Sequence, residues 1–550
     1  MSILLQRNVS QKQLFVSSAE SANSGGFVRR LAGSLALLLL AGFSVESYAE
    51  EAVDEYVVAR IKEQASQHSQ IEETLHYLAD VYGPRLTGTP RYLAMVEWAQ
   101  QRISDWGIER VYAESFGADL RGWEVQSFSA VMTKPVFMEL DAQPVCCSDS
   151  TAGAVVDTPL VIDFYNLSAL QAMTGKLRGR ILLHDKISAV ADQPSGKWSA
   201  EQLATAGARL NAITPDGLDG PGSSETYAQQ LRQQAAAGDT YDLELANFLI
   251  SEGVAAVVRS SSAPAGLVNN RFDAGMVEWV QRSDPKPVPF FVIPREKHAR
   301  LLRLNAMQQP ATLALQLTSG YYENADSHVN LIAEIPGSDK RLRDQIVYLG
   351  AHLDSVEMAT GAADNGIGAA TSMEVFRVLS QLKLKPRRTI RLALWGGEEY
   401  GLLGSKAHAE KYYGDIVKGT LKPAQKKVSA YFNHDNNGHD IRGIFLVGHE
   451  PIRPIFEAYL EPFTAIGANT VTVENAGGTD ILVFDALGIP SFEWIHDPLY
   501  YFSHQLHTSV DTTDLVDFDS ARRNAAVIAT VVYHTAMRDE LLPRKIGVAE

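Results

Sequence analysis

Hydrophobic and polar positions fall into three textures along this chain. From Glu51 to Trp106 the pattern is helical. Ile71, Leu75, Leu78 and Ala79 share one face of an amphipathic run, which Gly83-Pro84-Arg85-Leu86-Thr87-Gly88-Thr89-Pro90 breaks. Tyr92 to Ile103 predicts a second helix, ending before Trp106-Gly107. From about Gly122 to Leu317 short β-rich runs stand between Gly, Pro and Ser breaks: Leu160-Val161-Ile162, Ile181-Leu182-Leu183, Val254 to Val258 and Pro289 to Ile293. Asn211 to Tyr241 interrupts them as a long polar excursion. This stretch predicts an inserted, non-catalytic region. From Asn330 onward strand and helix signals alternate. Strands are expected at Ile346–Ala351, Thr389–Trp395, Val428–Phe432 and Ile489–Trp494. Helices are expected at Gly366–Leu382, Leu402–Tyr413 and Phe518–Met537. Such alternation implies an α/β sandwich around a largely parallel sheet. There is no internal repeat and no run of heptads.

In sheets of this kind ligands gather at the carboxyl ends of the strands. The residues that follow each predicted strand are therefore informative. IVYLGA runs into His352-Leu353-Asp354, TIRLALW into Gly396-Gly397-Glu398-Glu399, and VSAYF into Asn433-His434-Asp435. Between the first two, Gly361-Ala362-Ala363-Asp364-Asn365-Gly366 opens a helix, and His507-Thr508-Ser509-Val510-Asp511-Thr512 lies near the C-terminus. A single Asp at a strand end is usually a helix cap, and a single His is usually structural. Several at separate strand ends of one sheet are harder to account for that way, because unpaired buried charge is costly. Mixed His and carboxylate donors suit Zn²⁺. Two imidazoles and three carboxylates divide over two ions if one Asp is shared. The Glu398-Glu399 doublet offers a metal-bound carboxylate beside one free to take a proton from water, or simply two acids at a helix start.

Composition narrows the partners. A net charge of −16 argues against nucleic acid, since phosphate binding needs clustered Lys and Arg. With 45% hydrophobic residues over 550 positions, two to four globular domains are expected. Arg29-Arg30, the apolar run Leu31 to Phe43 and Ser47-Tyr48-Ala49 followed by Glu50-Glu51 have the anatomy of a secretory signal peptide. The apolar run is short for a bilayer span, although an uncleaved anchor is the alternative. The polar stretch before Phe27 is long for such a signal, which fits a true start near Val28. The two cysteines, Cys146 and Cys147, are adjacent and fit no zinc spacing; a bridge between neighbours is strained, and a buried or incidental pair is expected.

The stretches AHLDS, GAADNGIG, RTIRLALWGGEEYGLLGS, NHDNNG, GGTDILVFDALGIP and HTSVDTTD, in this order, resemble the dizinc exopeptidases that include bacterial leucyl aminopeptidases, glutamate carboxypeptidase and carboxypeptidase Q. YGPRLTG and LKPRRTIRLALW are most similar to the carboxypeptidase Q branch, a dipeptide-cleaving group. The resemblance implies a three-layer α/β sandwich around a mostly parallel mixed sheet. It implies that His352 and His507 each bind one of two zinc ions, that Asp364 bridges them, with its peptide bond to Asn365 cis, and that Glu399 and Asp435 complete the two sites. It implies Glu398 as general base and Asp354 as the acid that orients His352. LRGRILLHDK, EGVAAVVRS and VPFFVIPREKHARLL resemble a protease-associated insert. NHDNNG departs from the more apolar stretch of many relatives, which bears on substrate contacts near Asp435. His434, His439 and His504 match no ligand position.

The expected organisation is a signal peptide over 1–49, catalytic segments over 50–120 and 319–550, and the insert over 121–318. The expected activity is that of an exported, periplasmic or extracellular zinc exopeptidase, an aminopeptidase or dipeptidase, with a peptide or dipeptide substrate and the potential to form a homodimer. Tyr500 or Tyr501 is a candidate donor to the oxyanion, with an aromatic pair lining the core as the alternative. Asp480 and Glu357 lie near the motifs without an Arg cluster, which favours recognition of a substrate amine. The competing readings are a receptor-like ectodomain without activity and a glutaminyl cyclase-like acyltransferase using one zinc.

Overall fold

The computed structural model describes residues 51–117, 119–190, 195–208, 228–229, 240–269, 281–435, 439–474 and 478–545. The signal-peptide expectation and most of the Asn211–Tyr241 excursion lie outside them. Among the described residues no helix is long and apolar enough to cross a membrane.

An eight-stranded sheet dominates. Its strands run in the spatial order Arg110–Ser115, Val329–Ile335, Thr389–Trp395, Ile346–His352, Val428–Asn433, Ser491–His496, Ile441–Phe445 and Thr470–Thr472. The four central strands, from Thr389–Trp395 to Ser491–His496, are parallel. The pairings that flank them are antiparallel, and the two outermost strands on one side are parallel to each other. The sheet is therefore mixed, with a parallel centre. Register between Ile346–His352 and Thr389–Trp395 is direct, and it pairs His352 with Trp395.

The strands read as continuous apolar runs because both faces are covered. Alternate residues of one strand serve different cores. Val347, Leu349 and Ala351 pack with helices Glu55–Gln67, Ile367–Gln381 and Phe518–Met537. Tyr348, from the same strand, packs on the opposite face with Trp395, Tyr431 and Phe484, beside helices Leu403–Tyr412 and Ile481–Asp485. Helices on both faces of the sheet make three layers. Asp54 and Asp517 cap Glu55–Gln67 and Phe518–Met537 by accepting from first-turn backbone amides.

The described strands between Gly122 and Tyr322 form two other sheets. In the first, Gly122–Lys134 and Thr312–Tyr322 pair antiparallel, edged by Met138–Glu139 and Val155–Asp157. In the second, Phe290–Ile293, Ala256–Ser260, Ile181–Leu183 and Leu160–Val161 run parallel. Leu315, Met132, Ile181, Val258 and Phe291 fill the space between these sheets. None of the described strands from Gly122 to Tyr322 joins the eight-stranded sheet.

The cysteines depart from expectation. Cys146 and Cys147 are joined by a disulfide. The chain turns there, with φ at Cys147 of +30°, and both side chains are buried beside Trp123, Leu86 and Tyr400, which holds the sulfurs on one side of the turn.

Gly396, directly after Trp395, has no room for a side chain. A Cβ there would lie 2.4 Å from Tyr92 Oη and 2.7 Å from the Val329 carbonyl oxygen. Gly396→Ala is expected to lower unfolding free energy by about 1–3 kcal/mol, the usual cost of overpacking. Urea denaturation of wild type and variant measures it; an unchanged midpoint contradicts this packing.

Candidate metal centre

The parallel centre of the sheet delivers the site. His352 ends its strand; Asp354 follows it; Glu398 and Glu399 follow Trp395; Asp435 follows Asn433. Asp364 sits in a tight turn at the start of helix Ile367–Gln381, where φ and ψ are not helical and the bond to Asn365 is cis. Gly361 makes that turn possible, with φ +65° and Ser355 Cβ only 2.4 Å from where its own Cβ would be.

Asp364 presents its two oxygens to different histidines. His352 Nε2 lies 3.2 Å from Asp364 Oδ1, and His507 Nε2 lies 3.0 Å from Asp364 Oδ2. His352 Nε2 is also 3.7 Å from Asp435 Oδ1, and His507 Nε2 is 2.9 Å from Glu399 Oε2. The five residues thus converge on Asp364, and ligand atoms of His352, Asp364 and Glu399 lie within 4.8 Å of one another. Donor atoms around a tetrahedral zinc with bonds of about 2.0–2.1 Å are roughly 3.4 Å apart, so these separations suit zinc ligands. Glu399 Oε1 and Asp354 Oδ2 are buried and accept no hydrogen bond.

The electrostatics call for cations. Burial pushes Glu399 up to about 7, against the opposing pull of His507. Burial also holds Glu398 well above the usual carboxylate range, with His352 opposing and Glu399 and Asp480 adding to it. Burial lifts Asp480 to about 7 despite its bond from Ser405. Burial alone would lower both histidines, but Asp435 and Glu398 at His352, and Glu399 and Asp364 at His507, raise them well above their ordinary value.

Each site residue has its own support. Asp354 Oδ1 lies 3.5 Å from His352 Nδ1 and accepts from the Glu398 backbone N–H at 3.3 Å. The Thr87 hydroxyl accepts from Gly397 N–H at 2.8 Å. Asn433 Nδ2 donates to Glu493 at 2.6 Å, and Glu493 accepts the Asp435 N–H at 3.3 Å. Of the two tyrosines, Tyr501 is buried, and burial followed by the fields of Asp364 and Asp435 raises its hydroxyl well above 10. Tyr500 is 54% exposed, its ring packed against His504. The tyrosine beside the carboxylates is therefore Tyr501. His434 stacks on His496 at 5.3 Å between ring centroids, away from the shared aspartate's two histidines.

Two supporting residues were not singled out from the sequence. Asp511 accepts the N–H groups of Ala363 at 2.6 Å and Asp364 at 3.0 Å, one on each carboxylate oxygen. Arg85, fully buried, donates to the carbonyls of Leu353, Leu78, Thr360 and Gly361 at 2.7–3.2 Å. It ties the loop after His352 to the turn before Asp364. Both residues stand inside quoted motifs, HTSVDTTD and YGPRLTG. Their partners are backbone groups distant in sequence, which no spacing discloses.

Residues 330–532 match the family described as Peptidase family M28. Over its longer span the chain is 28% identical to carboxypeptidase Q of Bos taurus across 473 residues, 86% of each protein. Leupeptin-inactivating enzyme 1 of Streptomyces exfoliatus is 30% identical over 222 residues, 37% of this chain and 48% of that one. The likeness to carboxypeptidase Q and the aminopeptidases read from the motifs is borne out. Among solved structures, a peptidase M28 precursor from Shewanella amazonensis has a TM-score of 0.61 at 24% identity, covering 89% of this chain and 98% of that one. A zinc aminopeptidase from Bacillus subtilis has a TM-score of 0.51 at 18% identity, covering 87% and 96%. These two structures show the fold. All five of the converging donors, and Glu398, lie within the M28 segment.

Removing Arg85 leaves the carbonyls of Leu78, Leu353, Thr360 and Gly361 without this donor. Arg85→Met is expected to cost about 3–5 kcal/mol, the range for a buried charge network broken on one side. Denaturation in the presence of a chelator reads this apart from metal binding; a loss under 1 kcal/mol contradicts it.

Proposed function

We propose that this chain is a zinc-dependent exopeptidase with two ions per chain. One ion is held by His352, Asp364 and Asp435, the other by His507, Asp364 and Glu399. The observation that carries the reading is Asp364, whose oxygens face two histidines that each pair with a different second carboxylate. Two divalent ions, when bound, polarise the scissile carbonyl and make the water between them more acidic.

The chain's own residues do the rest. Glu398 forms no ion pair with either histidine among the described residues, so its lone pairs stay available. Its raised proton affinity suits a group that takes a proton from the attacking water and passes it to the leaving amine. Asp354 holds the His352 ring in orientation through Nδ1. Tyr501, buried and within the field of Asp364 and Asp435, is the candidate donor to the oxyanion. Asp480 and Glu357 remain the acidic candidates for a substrate amine. The substrate is a peptide or dipeptide with a free terminus, in keeping with the named relatives. Residues 121–318 act as a protease-associated-like insert, and 1–49 as an export signal that places the enzyme in the periplasm or outside the cell.

The two glutamates separate this mechanism from a charged helix start. Glu398→Gln keeps shape and removes the base; zinc content is expected to stay near two per chain while kcat falls at least about 10²-fold. Glu399→Gln is expected to weaken one zinc, with activity partly recovered in excess zinc. Elemental analysis and steady-state kinetics on aminoacyl and dipeptide substrates across a zinc titration check both. Full activity in both variants refutes the mechanism, and swapped behaviour reverses the roles. A single ion in wild type points to the cyclase-like reading, and none to the receptor-like one.

A further inference from the structure

His507 occupies an unusual backbone position. Its φ is +56°, a left-handed conformation uncommon for residues with a β-carbon, although histidine adopts it more readily than most. The surroundings of His507 come largely from another region of the chain. On the C-terminal side of His507, Thr508 forms an antiparallel bridge with Asn269. Ser509 N–H donates to the Val268 carbonyl at 2.8 Å, and Val268 N–H donates to Ser509 Oγ at 3.3 Å. On the N-terminal side, Leu499 and Gly196 exchange backbone hydrogen bonds at 2.9 and 3.1 Å. Trp198 donates from its ring Nε1 to the His496 carbonyl at 2.8 Å, and from its backbone to the buried Asp497 carboxylate at 2.9 Å.

Both grips are themselves built. Asn269 is buried, and its Oδ1 accepts from Ser261 Oγ at 2.8 Å, Ser262 N at 2.9 Å and Ala263 N at 3.2 Å. This closes the loop that leaves strand Ala256–Ser260 and presents Val268-Asn269 as an edge. Between the grips, the chain winds through Tyr501–Gln505, with Leu506 N–H donating to the Tyr501 carbonyl at 2.8 Å and Thr508 N–H to Gln505 at 3.0 Å. Beyond Ser509 the chain returns to Asp511, which holds the Asp364 turn.

We infer that the region between Gly122 and Tyr322 is a positioning element of the metal centre, gripping the 496–509 segment at both ends through Trp198 and Asn269 and so setting the place of His507. The inference rests on the two-ion reading above. Its physical basis is that a strained ligand is held by neighbours that over-determine its backbone. Loosening either grip lets the 499–507 segment relax, and the ion that needs His507 is then bound less tightly. The loop after Asp435 also meets the gripped segment, His439 N–H donating to the Asp497 carbonyl at 2.9 Å, so the ion held by His352 and Asp435 is expected to lose less affinity when the Val268-Asn269 grip, at the His507 end, is the one loosened.

The test uses the full chain as wild type, Trp198→Phe, Asn269→Ala and His507→Ala. Each is stripped of metal, then titrated with zinc against a competing chelator. Hydrogen–deuterium exchange over 499–509 and thermal unfolding are followed in the metal-free state. Wild type is expected to take two ions and His507→Ala one. Asn269→Ala and Trp198→Phe are expected to bind the ion that needs His507 about 10-fold less tightly, the low end for loss of a ligand's supporting contacts. Exchange over 499–509 should quicken, with the metal-free melting temperature kept in Trp198→Phe. KM at saturating zinc should stay unchanged. Wild-type affinity for both ions in Trp198→Phe and Asn269→Ala, with one ion lost in His507→Ala, overturns the inference and spares the site reading. Two ions in His507→Ala overturns both. Should Asn269→Ala fail to fold, Trp198→Phe, which keeps an aromatic ring and loses one donor, decides alone.

Discussion

Carboxylates converge on one edge of the central sheet, and everything around them answers to their mutual repulsion. Asp354, Asp364, Glu398, Glu399, Asp435, Asp480, Glu493 and Asp511 gather within mutual influence, and burial pushes many of them toward neutrality. Against them stand His352, His507 and Arg85. A buried anionic cluster of this kind is tenable only with protons, hydrogen-bond donors or cations in its midst. The protein supplies donors for the outer members: backbone amides for Asp511, Asn433 for Glu493, Ser405 for Asp480. The inner members are left facing the two imidazoles across gaps that fit metal ions.

That constraint explains the care spent on the loops. Parallel strands end together, so His352, Trp395 and Asn433 bring their following residues to a common edge. Strands alone do not aim a carboxylate. Thr87, Asn330 and Asp354 fix successive amides from Gly396 to Glu398. Arg85 binds four carbonyls of adjoining loops, using its guanidinium as a scaffold. Its charge also faces Asp511, Asp354 and Asp364, which offset the cost of burying it. One residue therefore serves the geometry and the charge balance together.

The region from Gly122 to Tyr322 has its own sheets and its own cores, yet its loops reach the segment that carries His507 and, on another side, the loop after His352. Cys146 N–H donates to Glu357 at 2.9 Å, and Cys146 packs beside Tyr400, the residue after Glu399. The metal-bearing edge is thus walled by two regions of the chain, and its shape depends on how they meet.

Much of this was legible from residue order alone. The strands at Thr389–Trp395 and Ile346–His352 and the helix Phe518–Met537 announced themselves through apolar runs and helical spacing, because local burial on both sheet faces demands those patterns. The residues His352, Glu399 and Asp435 stood out because polar, metal-competent side chains after successive strands have few other reasons to recur, while Asp364 and His507 stood out through the turn and the motif that carry them. Tertiary structure decided what depends on contacts between distant segments. It located where the expected mixed sheet turns antiparallel, since those edges pair residues such as Ala113 and Leu331, more than two hundred positions apart. It separated Tyr501 from Tyr500, because neighbours in sequence point to different surroundings. It assigned Asp511 and Arg85 their work, because their partners are backbone groups that every residue possesses and that carry no mark in the sequence. Side-chain chemistry is written residue by residue, whereas the pairing of backbone edges and the sharing of charge exist only once the chain has folded.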